Sequence, residues 1–247
     1  MKIGILGAGH IGKTLVQRLS AAGHDVKVAN SRGPETIDPE VLSSGGHAVT
    51  AEDAVADVDV VITSTPFMSH PKMAPLLASV PEETTIIDTS NYYPYRGDKI
   101  DEIDEGKAES AWVAEQLGRP IAKAWNCIIT ASFNANATPA GSAGRIALPV
   151  SADRERDREV AMALVEETGF DAVYAGTLEE SWRQQPGAPT YCTDLTREEL
   201  TPALAAADKS RLTKRRELMI AVTSERYEPG TQLDIEGGVR IMRALFM

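Results

Sequence analysis

Gly7-Ala8-Gly9-His10-Ile11-Gly12 decides how this 247-residue chain is read. A Gly-x-Gly-x-x-Gly run alone is a weak signal, and its surroundings strengthen it. It follows the apolar stretch Lys2 to Leu6 and opens a segment, Ile11 to Ala22, in which Ile11, Leu15, Val16 and Leu19 recur at helical spacing. A second apolar stretch, Asp25 to Ala29, comes next. Strand, glycine turn, helix and strand form the setting in which a backbone cradles a dinucleotide. Gly7 permits the tight turn, Gly9 lets the backbone approach a pyrophosphate, and Gly12 lets the helix pack near the strand. The helix N-terminus adds free N–H groups and the positive end of its dipole.

Working outward, the alternation continues. Further strands are predicted at Ala48-Val49, Asp59 to Thr63, Thr84 to Asp88 and Pro120 to Ala124. Between them, helices are predicted over Pro34 to Leu42, from a Thr50 cap with Asp53 in the first turn, over Met68 to Ser79 despite Pro71 and Pro75, and over Glu109 to Leu117. Continuous apolar strands alternating with helices imply a parallel sheet covered on both faces. After Asn126 the character changes. Ala131 to Gly144 lacks periodicity, and Arg145 to Val150 and Asp171 to Tyr174 read as strands. Ser151 is placed to cap a helix running to Thr168 and stopped by Gly169, and Thr196 to Glu199 fits a capping box. Residues 186–194 look irregular, and Pro229-Gly230 breaks the chain before a last helix near Glu236 to Leu245. The fold class is therefore α/β: a Rossmann-type doubly wound parallel sheet over residues 1–126, with a smaller α+β domain over residues 127–247.

The charge balance limits what binds. Lys and Arg number 25 against 36 Asp and Glu, a net charge of −11, which argues against nucleic acid or an anionic membrane as the main partner. An anionic ligand must then be held by a local device such as the glycine loop. Cys127 and Cys192 are far apart and give neither a metal spacing nor a disulfide framework, so a reduced, cytoplasmic setting is expected and no metal. The apolar run at the N-terminus is too short for a signal peptide, and no stretch approaches the roughly 18 apolar residues of a membrane span. A homodimer is the default expectation for assembly.

The end of the second strand selects the cofactor. An NAD site has a carboxylate there for the ribose 2′-hydroxyl. Here the chain reads Asn30-Ser31-Arg32-Gly33, with no carboxylate before Glu35. An Arg32 guanidinium can fork onto a 2′-phosphate, Ser31 can donate a hydroxyl, and Asn30 can bond the ribose, so NADP is the expected cofactor.

Gly7 to Gly12, Asn30 to Glu35, Asp88-Thr89-Ser90-Asn91-Tyr92-Tyr93-Pro94 and Lys123-Ala124-Trp125-Asn126 together resemble the deazaflavin (coenzyme F420)-dependent NADP oxidoreductases, in particular their bacterial relatives of unassigned substrate. The resemblance is specific to about residue 130 and weaker beyond. It implies that NADP lies across the strand ends, contacted by Gly9, His10, Ile11, Ser31 and Arg32. It also implies a nicotinamide facing a cleft between two domains, where hydride passes directly to an acceptor.

Ligands of an open parallel sheet gather beyond the carboxyl ends of its strands. Three loops should meet there. Ser64, Thr65 and Pro66 follow the fourth strand, the first two as hydrogen-bonding groups and Pro66, with Phe67, as packing for a flat ring. Asn91, Tyr92 and Tyr93 follow the fifth, and Lys123 and Asn126 the sixth. Lys123, Tyr92 and Asn126 are the catalytic candidates, although a buried ion pair is the plainer expectation for Lys123. No His-Asp pair stands out: His10 is in the glycine loop, His24 and His47 precede strands, and His70, alone, reads as structural. The run Lys209, Arg211, Lys214, Arg215, Arg216 and the acidic stretch Asp98 to Glu109 read as solvated surface.

Hydride transfer between two ring cofactors needs positioning above all, whereas reducing a carbonyl also needs an acid. The leading reading is therefore an NADP(H)-dependent oxidoreductase acting on a planar acceptor, a deazaflavin or flavin. The alternatives are a dehydrogenase or reductase of a small hydroxy acid or imine, with Lys123 or Tyr92 as proton donor, and an NADP-sensing protein without turnover.

Overall fold

Three apolar side chains on the first helix, Leu15, Val16 and Leu19, are fully buried against Ile3, Ile5, Val26 and Val28, and this packing seats the glycine loop. The computed structural model describes residues 1–228, 231 and 234–247. In chain order its elements begin with β1 (Lys2–Leu6), α1 (His10–Ala21), β2 (Asp25–Ala29), β3 (His47–Ala48), α2 (Ala51–Val55), β4 (Val60–Thr63), α3 (His70–Leu77) and β5 (Thr85–Asp88). They continue with α4 (Asp101–Asp104), α5 (Glu109–Leu117), β6 (Ala122–Lys123), α6 (Thr130–Ala135), β7 (Ala147–Ala152), α7 (Glu155–Glu167) and β8 (Asp171–Tyr174). The chain closes with α8 (Arg197–Ala205), α9 (Leu212–Arg226) and α10 (Ile235–Phe246).

The strands form one sheet in the order β3-β2-β1-β4-β5-β6-β7-β8. Neighbours are parallel except β6 and β7, where Ala122 faces Ala152 in antiparallel register. The first six strands thus follow the order 3-2-1-4-5-6 of a dinucleotide-binding sheet, and β7 and β8 extend it. One face carries α1 and α7, through Leu15, Val16, Leu164 and Val165. The other carries α2, α3 and α5, through Ala54, Leu77, Trp112 and Val113. Covering both faces explains why these strands read as unbroken apolar runs.

Several expectations shift in register. The segment after β2 folds as two 3-10 turns, Pro34–Thr36 and Pro39–Leu42, each opened by a proline. The helix after β4 begins at His70, behind a 3-10 turn at Phe67–Ser69. Ser151 caps nothing: it lies inside β7, fully buried, with its hydroxyl on Gln184, and α7 starts only at Glu155. The strand continues because alternate residues pack against both layers, which outweighs the local capping preference. The unpatterned stretch from Ala131 holds α6. Thr50 does cap α2 through the Asp53 N–H, and Thr196 and Glu199 form the expected capping box on α8. The last helix stands where expected, while the Pro229-Gly230 break lies outside the described residues.

Candidate functional site

The carboxyl ends of β1, β4 and β5 open into a cleft of about 450 Å³. Its floor is Gly9, His10 and Ile11, at the start of α1. One wall is the turn after β4, Ser64 to Met68, and the other the turn after β5, Thr89 to Tyr93, with Arg96 at the rim and Thr130 nearby. The sequence candidates Gly9, His10, Ile11, Ser64, Thr65, Pro66 and Tyr92 therefore come together.

The glycine loop passes a direct test of fit for a pyrophosphate. Gly7 has a φ of +111°, and a Cβ there would stand 2.1 Å from the Ser64 carbonyl oxygen. A Cβ on Gly12 would stand 1.9 Å from the Gly7 oxygen. Both glycines are demanded by the fold itself. A Cβ on Gly9 would meet nothing within 4 Å, so that glycine keeps space open that the chain does not use. Gly9 is also the N-cap of α1, no side chain caps the helix, and its first turn carries no acidic residue. The first-turn N–H groups and the dipole are thus offered to an anion.

Asn30, Ser31 and Arg32 lie one strand further out, at the end of β2. Asn30 is occupied in shaping that loop: its Oδ1 accepts the Arg32 N–H at 2.9 Å and its amide donates to Thr36 at 2.9 Å. Ser31 and Arg32 are exposed.

Beneath the β5 turn lies a buried polar cluster centred on Asp88, a residue with no assigned role in the sequence reading. One of its oxygens faces Thr63 Oγ1, His70 Nε2 at 3.0 Å and the Ser90 N–H at 3.1 Å. The other accepts from Ser90 Oγ at 3.0 Å and from Lys123 Nζ at 2.6 Å. Burial alone would raise the Asp88 carboxyl, but the Lys123 ammonium and then His70 overcome it and hold the group well below the usual carboxylate range. Lys123 is 1% exposed and also donates to the Ser90 carbonyl oxygen. It is thus the ion pair expected of it, placed behind the cleft wall. A His-Asp pair is present after all, contrary to the sequence reading: His70 joins Asp88 to the Phe67 carbonyl oxygen, 2.6 Å from Nδ1, with both side chains fully buried. The signal available was Asp88 itself, a charge ending an apolar strand where ligand loops begin.

Tyr92 has its ring in the core against Phe67, and its hydroxyl accepts the Ile100 N–H at 2.8 Å. Asn126 is buried and forms a reciprocal amide pair with Asn91: each Nδ2 donates at 3.1 Å, one to a side-chain and one to a backbone oxygen. Tyr93 reaches from the cleft to the hydroxyl of buried Tyr191. Two surface assignments are corrected. Arg216 turns inward over the Tyr92 ring and pairs with Asp104 at 3.1 Å. Glu109 is 1% exposed and accepts the Tyr92 N–H at 3.0 Å, and burial pushes its carboxyl up to about 7. Burial likewise pushes the Cys127 and Cys192 thiols up, leaving them unreactive. Among the described residues no group of His, Cys, Asp and Glu could hold a metal, and no helix is long and apolar enough to cross a membrane.

A family model described as NADP oxidoreductase coenzyme F420-dependent matches residues 2–92. Over 100 residues the chain is 39% identical to the protein YjhV of Escherichia coli (strain K12), spanning 40% of this chain and 73% of that protein. Among solved structures, the protein SMa0349 from Sinorhizobium meliloti superposes with a TM-score of 0.66 at 28% identity, covering 80% of this chain and 96% of its own. A protein described as an F420-dependent NADP reductase from Arthrobacter sp. FB24 gives a TM-score of 0.57 at 19% identity, with 90% and 94% covered. At that identity the likeness is one of fold.

Proposed function

We propose, because this chain belongs to the family of coenzyme F420-dependent NADP oxidoreductases, that it passes a hydride directly between NADP(H) and a planar redox carrier of the deazaflavin or flavin class. Family membership makes it an NADP-dependent oxidoreductase; the acceptor is the proposal. The observation that carries it is the state of the groups around the cleft. Lys123 is engaged by Asp88 and Ser90, His70 by Asp88 and Phe67, and the Tyr92 hydroxyl by Ile100. These ionisable side chains hold the cleft walls in place, which suits a reaction that depends on placing two rings and not on a proton donor at a carbonyl.

The chain's own residues divide the work. The Gly9 backbone and the N-terminus of α1 receive the pyrophosphate, and Arg32 with Ser31 takes the 2′-phosphate. Ser64 and Thr65 offer hydroxyls along the β4 turn, and Pro66, Phe67 and Met68 offer an apolar wall. Asn91, fixed by Asn126, presents a set amide on the opposite side. Bound NADPH supplies the hydride. Residues 1–126 carry the cofactor in this reading and residues 127–247 close the acceptor side. The protein works in the cytoplasm as a homodimer, the commonest closed assembly.

The test is single-turnover oxidation of bound NADPH by a deazaflavin, followed by absorbance. Fast oxidation is expected. Bound NADPH that stays reduced with both a deazaflavin and a flavin would overturn the reading in favour of a small-molecule dehydrogenase or a sensor.

A further inference from the structure

We infer that Arg96 is the anion-binding residue of the acceptor site, taking a phosphate or carboxylate carried by the acceptor and not a phosphate of the dinucleotide. The inference rests on the hydride-carrier reading above and deepens it by giving the carrier an anionic arm.

Three observations converge on it. The first is position along the sheet. The strand order places the β2, β1, β4 and β5 ends in a row. Arg32 and the glycine loop serve the first two. Arg96 follows the β5 turn, at the far end of that row from Arg32, on the rim of the cleft. A dinucleotide laid along the row has its phosphates at the β2 and β1 end, and the acceptor approaches from the β5 side.

The second is orientation. The Arg96 guanidinium lies 4.8 Å from the Tyr93 ring centroid and 5.4 Å from that of Tyr95, and its Nε–H donates to the Tyr95 hydroxyl at 3.1 Å. This commits one edge and leaves the two terminal nitrogens as a fork. A guanidinium packed against two neighbouring rings and bonded through Nε is already partly ordered, so it loses less freedom when an oxyanion arrives. Gly97 sits close on Met68, a residue of the opposite wall, which fixes the base of the segment.

The third is the absence of a carboxylate partner. Arg145 is spent on Glu166 and Asp171, Arg154 on Asp157, and Arg119 on four backbone carbonyls. Among the described residues no carboxylate pairs with Arg96. At the mouth of the cleft Arg96 is thus an exposed cation without a carboxylate partner, as Arg32 is at the β2 end of the same row.

The experiment is calorimetric titration of the NADP⁺-loaded protein with FMN, riboflavin and inorganic phosphate, for the wild type and Arg96→Gln. NADP⁺ occupies the other phosphate sites during the titration. In the wild type FMN should bind about 10-fold or more tighter than riboflavin, the range for a charged hydrogen bond. Arg96→Gln should abolish that ratio while leaving riboflavin and NADP⁺ affinities unchanged. An unchanged FMN-to-riboflavin ratio in the variant overturns the inference. So does a loss of NADP⁺ affinity, which would assign Arg96 to the dinucleotide. If neither flavin binds the wild type, the flavin half of the hydride-carrier reading fails while the deazaflavin half stands on its own single-turnover test, and inorganic phosphate decides Arg96 separately. Phosphate binding lost in Arg96→Gln sustains the anion site for a smaller acceptor. Phosphate that does not bind, or binds both proteins alike, overturns it.

Discussion

Gly7, Gly9 and Gly12 share one loop, yet a Cβ would mean something different at each. At Gly12 it would collide with the Gly7 carbonyl oxygen at 1.9 Å, a backbone atom that cannot step aside. At Gly9 it would stand in open space, on a backbone whose φ of −74° any residue adopts. The two substitutions should therefore separate folding from binding. Gly12→Ala is expected to destabilise by several kcal/mol, as overpacking against backbone does. Gly9→Ala should cost at most about 1 kcal/mol, through a poorer N-cap, while weakening NADPH binding at least about tenfold. Urea midpoints and a fluorescence titration with NADPH check both. A Gly9→Ala protein that binds NADPH like the wild type would remove the pyrophosphate from this loop.

At the scale of elements, Asp88 is the tie. It ends β5 and gathers β4 through Thr63, α3 through His70, β6 through Lys123 and its own turn through Ser90. Asp88→Asn keeps the shape but removes the carboxylate that the buried Lys123 ammonium donates to. A loss of about 3–5 kcal/mol is expected, measured as a shift in the urea midpoint. A loss under about 1 kcal/mol would mean that water or a rearranged partner neutralises Lys123. The elements themselves were largely legible. The first six strands, the Thr50 cap and the Thr196 capping box follow from local spacing and side-chain type. The glycine loop was legible for the same reason, since its geometry is written within six residues. The Asp88 cluster was not, because its members lie up to 60 residues apart, from Thr63 to Lys123, and meet only through the sheet order. Arg216 and Glu109 escaped likewise. Each sits in a charged run whose composition predicts solvent, and only the packing of Tyr92 turns them inward.

For the molecule as a whole, Glu109 makes stability depend on pH in a way that can be worked out. It stands at the start of α5, where it links the cleft wall to the second half of the chain. Its carboxylate accepts the Tyr92 N–H, and its own N–H donates to Gln185 Oε1 at 2.9 Å. Burial is the main influence on it, offset in part by Lys123, the Tyr92 N–H and Arg216, with Asp88 adding repulsion. The carboxyl is pushed up to about 7 from an ordinary 4.5. In the unfolded chain the proton leaves near 4.5, and in the folded chain near 7. Between those values the folded state binds more protons, so stability falls as pH rises through this window, and the full penalty is present above it. Asp88 moves the opposite way, and its contribution is complete across the whole range from pH 5 to 8. Glu109→Gln keeps an oxygen for the Tyr92 N–H and removes the titration. The variant should match the wild type to within about 1 kcal/mol at pH 5 and exceed it by about 2–3 kcal/mol at pH 8. Urea unfolding of both proteins at several pH values gives the difference directly, and histidines common to both cancel. Two stability curves separated by a constant offset from pH 5 to 8 would show that Glu109 holds one charge state throughout, and the carboxylate would then have to be counted as a fixed charge beside Lys123.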